Sequence, residues 1–281
     1  MAGKPEVVET VDTLRTRVGT WRAGGEKVAL VPTMGALHEG HIALVRHAKT
    51  LAQRIVVSIF VNPTQFAPNE DFSRYPRTFD NDLALLAAEG VDVVYAPTAA
   101  DMYPQGFATH FAMGGPALGL ETDFRTHFFA GVAIVVSKLL IRTGPDYAMF
   151  GEKDYQQLKV VTRLAADLDL PVEIVPGATV REHDGLALSS RNRYLSPEER
   201  AIAPVIHLAL KEAAAAIRAG TPANAAATAA ADRITTAGLK VDYVAARHAE
   251  TLAPLASADE PVRLLAAAWL GKTRLIDNIG V

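Results

Sequence analysis

Between Lys27 and Pro176 the sequence alternates short apolar runs with longer amphipathic stretches, and this alternation restricts the possible folds more than any other feature. The apolar runs cover residues 27–32, 54–60, 91–97, 146–150 and 172–176. Stretches with helical spacing cover residues 40–52, 79–89, 131–143 and 154–168. Buried strands separated by helices are typical of an α/β fold, with helices on both faces of a parallel sheet. Ligands of such sheets bind beyond the carboxyl ends of the strands.

The two ends of the chain follow other patterns. Residues 7–25 have helical spacing that stops at a pair of glycines. After about Arg181 a helix is predicted to begin with Ser196 as its cap and Pro197 in its first turn. An Ala-rich helix over 222–237 and strands within 240–248 and 262–279 complete this part. We therefore predict two domains, an α/β domain over residues 1–184 and a smaller α+β domain over residues 185–281.

Composition excludes several classes of function. The chain has 281 residues, a formal net charge of −3 and no cysteine. A nucleic-acid binder would normally show a basic face, and disulfides or a thiolate metal site need cysteine. The best apolar candidate for a membrane span, residues 131–141, is short and contains Lys138. We expect a cytoplasmic protein with neither a nucleic-acid nor a membrane partner.

The stretch "PTMGALHEGH", residues 32–41, follows the first apolar run and contains His38 and His41. The first amides of a helix lack partners within the helix and attract phosphate. Gly35 and Gly40 allow a ligand close to the backbone, and two imidazoles can donate hydrogen bonds to phosphate oxygens. Ordinary polar residues at a helix start are the alternative interpretation. A zinc site is less favoured, because the spacing is not His-Glu-x-x-His.

Three later stretches also place polar side chains where strands are expected to end. These are "VNPTQF" at 61–66, "FGEKDYQQL" at 150–158 and "GLALSSRNRYL" at 185–195. The hydroxyl and guanidinium groups of the last stretch are suited to binding phosphate. Each of the first two stretches, taken alone, also fits a solvated polar turn. That interpretation fits Ser189 alone but is poorer for the whole last stretch.

Together with "TRLIDNI" at 273–279, the four stretches resemble the pantothenate synthetase family of pantoate–β-alanine ligases, within the HIGH-type nucleotidyl-transfer superfamily. The resemblance implies a Rossmann-like domain, a C-terminal lid domain and a cytoplasmic homodimer that uses ATP with Mg²⁺. It also implies the reaction: ATP and pantoate form pantoyl-adenylate and pyrophosphate, and β-alanine then displaces AMP to form pantothenate.

The resemblance further implies roles for individual residues. His41 is the expected proton donor, and His38 and Lys153 are further candidate catalytic residues. The expected ATP-binding residues are Met34, Gly35, Ala36, Leu37, His38, Glu39, Gly40, His41, Gly151, Glu152, Lys153, Asp154, Val180, Leu188, Ser189, Ser190 and Arg191. The expected pantoate-binding residues are Gln65, Gln157, Asn62 and Met34, and Gln65 also borders β-alanine. The ligands of the metal stay unassigned.

The sequence departs from the family pattern in three places. Phe128 stands at a position usually occupied by histidine, with His127 one place early. Asn81 interrupts an acidic stretch, and Leu188 stands where methionine is common. Two other functions stay open: a nucleotidyltransferase of the same superfamily and a nucleotide-binding module without catalysis. The two glutamines favour the ligase, since a nucleotidyltransferase has no carboxylate to orient.

Overall fold

The computed structural model describes residues 3–67 and 70–281, which form two compact units. The strands are β1 Glu6–Val8, β2 Val28–Thr33, β3 Arg54–Ile59, β4 Val93–Tyr95, β5 Tyr147–Gly151, β6 Glu173–Gly177, β7 Lys240–His248, β8 Val262–Leu270 and β9 Thr273–Gly280. The helices are α1 Val11–Ala23, α2 Glu39–Leu51, α3 Phe79–Ala88, α4 Ala99–Met102, α5 Glu121–Phe124, α6 Phe128–Thr143, α7 Tyr155–Asp167, α8 Pro197–Ile202, α9 Val205–Arg218 and α10 Ala223–Thr236.

The units are discontinuous in sequence. The first contains the described residues up to Met113 together with Arg125–Glu152 and Val160–Ala178. The second contains Gly114–Phe124, Lys153–Lys159 and Thr179–Val281. The domain boundary expected after residue 184 stays a prediction. No helix in the described part of the chain is both long and apolar enough to cross a membrane.

The first unit contains a six-stranded sheet whose neighbouring strands are all parallel, in the order β1-β4-β3-β2-β5-β6. The predicted α/β class is therefore confirmed. From β2 the chain builds outward through β3 to one side, and it later places β5 against the other side of β2. The carboxyl ends of β2 and β5 thus lie at the point where strand order reverses, which is where open α/β sheets bind ligands.

Burial explains why β2 is a continuous apolar run. Its residues 28–31 are fully buried, because helices cover both faces of a parallel sheet. Helix α2 packs Ile42, Val45 and Ala48 into the same apolar cluster as Val31. These three residues are spaced for one helical face, so the 3.6-residue periodicity indicated the packing correctly.

The prediction of one helix over residues 7–25 is wrong at its start. Glu6–Val8 instead pairs in parallel with β4 at the edge of the sheet, and α1 begins only at Val11. The Thr10 side chain accepts a hydrogen bond from the Thr13 amide and so caps the helix. Three residues show no clear strand periodicity, and only the partner strand makes this segment extended.

The second unit contains an antiparallel sheet in the order β7-β8-β9, as the α+β prediction required. Helices α9 and α10 share one apolar cluster with β8, to which Leu210, Ile234 and Leu264 contribute. The predicted helix after Ser196 is interrupted, because α8 ends at Ile202 and α9 starts after Pro204. Proline lacks the amide that would continue the helix and crowds the preceding turn.

Candidate active site

The loop that joins β2 to α2 is held in an unusual backbone conformation. Gly35 and Ala36 both have positive φ, at 78° and 51°. A Cβ at Gly35 would lie 3.1 Å from an Asp82 oxygen and 3.1 Å from an Ile59 carbon, so a side chain there would crowd both neighbours in addition to straining the backbone. Ala36 carries a conformational cost that the surrounding contacts must offset.

Asp82 is the main contact that holds this loop. Its side chain is buried in α3, and its two oxygens accept hydrogen bonds from the amides of Ala36 and Leu37, each at 2.9 Å. Oδ1 also accepts a hydrogen bond from Thr78 Oγ1 at 3.0 Å. Hydrogen bonds to a carboxylate are stronger than those between neutral groups, so Asp82 fixes the residues that lead to His38.

The two histidines cap the start of α2 with their rings. His38 Nδ1 accepts a hydrogen bond from the Gly40 amide at 3.2 Å, and His41 Nδ1 accepts one from the His38 amide at 3.3 Å. The ring centroids are 4.1 Å apart. A neutral imidazole that accepts at Nδ1 carries its proton on Nε2, so this network assigns an Nε2–H donor to each ring. Both the candidate donors and their orientation thus come from the backbone at the helix start.

This arrangement changes one sequence-based expectation. The amides of the first helical turn were expected to be available to phosphate, but those of Gly40 and His41 already have partners within the loop. These two amides are therefore bonded within the loop, and the role of His38 and His41 as donors to phosphate stays a prediction. The macrodipole of α2 still favours an anion at this end.

Beyond the end of β3, Asn62 organises the turn that carries Gln65. Asn62 is buried, and its Nδ2 donates to Gln65 Oε1 and to the Gly131 carbonyl, each at 3.2 Å. Its Oδ1 accepts from Tyr103 Oη at 2.6 Å. Gln65 Nε2 lies 3.1 Å from Met34 Sδ. Asn62 therefore directs both amide hydrogens to protein atoms, and Gln65 lies beside the loop after β2.

Sequence reasoning did not identify the ion pair beneath this turn. Arg125 binds both oxygens of Glu70 at 2.7 Å, donates to the Gln65 carbonyl at 3.1 Å and stacks over the Phe128 ring at 3.9 Å. Burial alone would raise the pKa of Glu70, but the hydrogen bonds and the positive charge of Arg125, together with smaller contributions such as a hydrogen bond from the Ala67 backbone, outweigh burial and lower this pKa. The departure from the family pattern thus has a structural role, since Phe128 supports the arginine that holds the Gln65 backbone.

The structure also describes the surroundings of His127, the residue next to Phe128. His127 precedes α6, and its Nε2 is buried without a hydrogen-bond partner among the described residues.

No short-range signal in the sequence could have paired Glu70 with Arg125, because the two residues are 55 positions apart.

Lys153 follows the end of β5 and belongs to the second unit. Its side chain is largely buried, Nζ lies 3.9 Å from Asp154 Oδ1, and its carbonyl accepts a hydrogen bond from Asn278 Nδ2 at 2.9 Å. Gly151 and Glu152, which precede it, belong to the first unit at the carboxyl end of β5. Lys153 thus lies two residues beyond β5 in the sequence, and its role as a candidate catalytic residue stays a prediction.

The structure distinguishes the two adjacent glutamines of α7. Gln156 is buried and makes three hydrogen bonds, to the Glu121 amide and to the carbonyls of Pro116 and Gly119. Gln157 is only partly buried. Gln156 therefore has a structural role, while Gln157 keeps the exposure that a ligand-binding side chain needs.

The predicted phosphate-binding run after Gly185 is also ordered locally. The Leu188 amide donates to the Val180 carbonyl at 3.0 Å, which brings these two candidate residues together. Ser189 Oγ accepts from the Arg191 amide at 3.3 Å and caps a short 3₁₀ helix, Ser190–Tyr194. The Ser189 hydroxyl oxygen thus serves the turn, as the interpretation of this run as a polar turn would require.

The described residues contain no cluster of three or more His, Cys, Asp or Glu side chains placed to hold a metal ion. In the acidic stretch, Asp80 and Asn81 are exposed, and the Asp82 oxygens already bind protein hydrogens. Asp82 is therefore a residue that holds the loop.

Comparisons with known proteins identify the family of the chain. Residues 6–280 match the family model described as "Pantoate-beta-alanine ligase". The pantothenate synthetase of Rhodopseudomonas palustris strain BisA53 is 58% identical over 283 residues, which cover 100% of both chains. The crystal structure of the pantothenate synthetase from Thermus thermophilus superposes with a TM-score of 0.91 at 46% identity and 98% coverage of each chain.

A second solved structure comes from Francisella tularensis. It is a pantoate–β-alanine ligase complexed with "Beta-gamma ATP" and β-alanine, with a TM-score of 0.83 and 33% identity, and it covers 98% of this chain and 97% of its own. The match of the family model extends over nearly the whole chain, and the curated relative exceeds half identity over its full length. The chain therefore belongs to the pantoate–β-alanine ligase family of enzymes.

Proposed function

We propose that this chain joins pantoate to β-alanine through a pantoyl-adenylate. In the first step a carboxylate oxygen of pantoate attacks the α-phosphorus of ATP, the bond from that phosphorus to the bridging oxygen breaks, and pyrophosphate leaves. In the second step the amine nitrogen of β-alanine attacks the acyl carbon, the bond from the acyl carbon to the AMP oxygen breaks, and the amine loses a proton as AMP leaves.

The observation that carries this proposal is the orientation of the two imidazoles. His38 and His41 accept hydrogen bonds from backbone amides at Nδ1, so the neutral form of each ring carries its proton on Nε2. Negative charge grows on the phosphate oxygens and on pyrophosphate as the first step proceeds, and oriented donors stabilise that charge. In this proposal His41 is the main donor to the developing negative charge, and His38 and Lys153 also stabilise that charge.

The family role of nucleotide binding is proposed for two groups of residues. In the first unit they are Met34, Gly35, Ala36, Leu37, His38, Glu39, Gly40, His41, Gly151 and Glu152. In the second unit they are Lys153, Asp154, Val180, Leu188, Ser189, Ser190 and Arg191. Because the described residues contain no acidic cage, we propose that Mg²⁺ arrives bound to the ATP phosphates, where it offsets their charge.

We propose that Gln65 and Gln157 bind pantoate, with Met34 beside Gln65, and that Gln65 also borders β-alanine. An amide can orient a carboxylate while leaving it nucleophilic, whereas an arginine would bind it tightly and weaken the attack. The hydrogen bonds of Asn62 support a positioning role for it, since it holds Gln65 with its own amide.

Release of pyrophosphate tests the proposal directly. Purified protein should release pyrophosphate when ATP and pantoate are supplied without β-alanine, and AMP should follow only when β-alanine is added. Strict dependence of pyrophosphate release on β-alanine would contradict the adenylate. Release without pantoate would indicate a nucleotidyltransferase, and no release with intact ATP binding would indicate a module without catalysis. The family state of a cytoplasmic homodimer is part of the same proposal, and sedimentation of the purified protein tests the dimer.

A further inference from the structure

Two adjacent residues of β9, Asp277 and Asn278, have buried polar side chains, and the proposed reaction does not use either of them. Successive residues of a strand point to opposite faces, so the pair can reach two different segments. Their strand is held by its ladder with β8, in which Asp277 lies opposite Ala266 and Asn278 lies opposite Leu265.

Asp277 holds the segment that contains Val180 and Leu188. Its two oxygens accept hydrogen bonds from Arg181 at 2.7 and 2.8 Å, and Arg181 also donates to the Gly185 carbonyl at 3.0 Å. Arg181 and Ala187 form a β-bridge, directly inside the hydrogen bond that joins Leu188 to Val180. The buried ion pair therefore fixes the base of the loop from which residues 188–191 extend.

Asn278 holds the backbone of Lys153. Its Nδ2 donates to the Lys153 carbonyl at 2.9 Å. Its Oδ1 accepts from Arg263 Nε at 2.8 Å, and because Arg263 can only donate, this contact determines which end of the amide faces Lys153. The lysine thus starts from a fixed carbonyl, although its own side chain is long and has many rotamers.

We propose that Asp277 and Asn278 are positioning residues for nucleotide binding. Asp277 contacts Arg181, at the base of the segment that carries Val180 and residues 188–191. Asn278, the next residue of the same strand, donates to the Lys153 carbonyl. The proposal rests on the proposed function, because it takes the nucleotide-binding role of these segments from it. Binding groups must be held within a fraction of an ångström by such supporting contacts.

A purely structural role makes a different prediction, and the chain offers a matched control. Asp242 in β7 is also a buried carboxylate paired with an arginine, since Oδ2 accepts from Arg274 Nε at 2.7 Å. Its partner Arg274 also binds Glu121, and neither residue is a nucleotide-binding candidate. Asp277→Asn and Asp242→Asn therefore remove equivalent charges from the same sheet, only one of which holds a nucleotide-binding segment.

Calorimetric titration with ATP, together with melting temperatures, tests the proposal. Asp277→Asn should raise the Kd for ATP about tenfold, the scale of misplacing a supporting contact, while Asp242→Asn should leave it within about twofold. Asn278→Asp keeps an acceptor for Arg263 but places an anion against the Lys153 carbonyl, so this variant should also bind ATP more weakly. Steady-state kinetics at saturating pantoate should show the same loss in the KM for ATP.

Equal ATP affinity in all the variants, with lowered melting temperatures, would overturn the positioning role. If Asp277→Asn does not fold, Arg181→Lys tests the same contact, because lysine keeps the charge but loses the two-pronged hydrogen bond. ATP binding is measured without turnover, so a wild-type protein that binds ATP yet releases no pyrophosphate with pantoate would contradict the proposed function while leaving this test decisive.

Discussion

Replacement of Asp82 by asparagine should damage both stability and catalysis, because one side chain holds the loop that leads to His38. The carboxylate accepts three hydrogen bonds, from the amides of Ala36 and Leu37 and from Thr78 Oγ1. Asparagine has the same shape but only one acceptor oxygen, so its NH₂ group must face a donor. Losing a charge-assisted hydrogen bond costs about 1.5–3 kcal/mol, and burying an unpaired amide costs about 1–3 kcal/mol more.

These two costs together are about 2.5–6 kcal/mol. For a chain of this size roughly 2 °C of melting temperature is lost per kcal/mol, so we expect a decrease of about 5–12 °C. The loop would also relax from the positive φ of Ala36, which moves the histidines. A displacement of about 1 Å can cost on the order of a hundredfold in rate, so kcat for pyrophosphate release should fall on that scale.

Calorimetry and single-turnover pyrophosphate release measure the two effects, and Asp80→Asn is the matched control, since Asp80 lies exposed on the same helix. The control should behave as the wild type does. A lowered melting temperature with normal turnover would refute the link between Asp82 and the histidines. A loss of activity that excess Mg²⁺ restores would show that Asp82 binds the metal instead.

Three further predictions address separate residues. His41→Ala should reduce the rate of adenylation by about a hundredfold or more without loss of folding, and near-normal single-turnover rates would remove its catalytic role. Gln157→Glu should weaken the binding of pantoate, measured by titration, far more than the binding of ATP, because an anion then faces the substrate carboxylate. Gln156→Ala should instead lower the melting temperature and leave the affinity for pantoate unchanged. Burial would raise the pKa of Asp277, but His207 and Arg181 outweigh burial and lower this pKa in the folded protein. The contribution of Asp277 to folding stability is therefore complete above the ordinary aspartate pKa of about 4, and it is lost as the pH falls through the lower pKa of the folded state. Asp277→Asn should therefore lose less stability than the wild type between about pH 5 and 3, and parallel melting curves against pH would contradict this assignment.

Local pattern was enough to identify most of the elements that build the sheet. The continuous apolar run at β2 reflects a strand that is buried on both faces, and the helical spacing of α2 reflects a helix that is buried on one face. Both kinds of burial produce a pattern of apolar residues that can be read from the sequence. The pattern failed at Glu6–Val8, where a short segment is extended only because β4 lies beside it. It also failed to show which of two adjacent glutamines is buried, since α7 turns Gln156 toward the 114–121 segment.

The sequence by itself determined the α/β class, the order of most of the elements and the polar residues at the strand ends. These properties depend on periodicity and on residue chemistry within a few positions of one another. Only the tertiary structure decided that Asp82 holds the loop after β2, that Arg125 and Glu70 support Gln65, and that β9 reaches both Arg181 and Lys153. Each of these contacts joins residues 45 to 125 positions apart, and a contact between distant residues leaves no periodic signal in a single sequence.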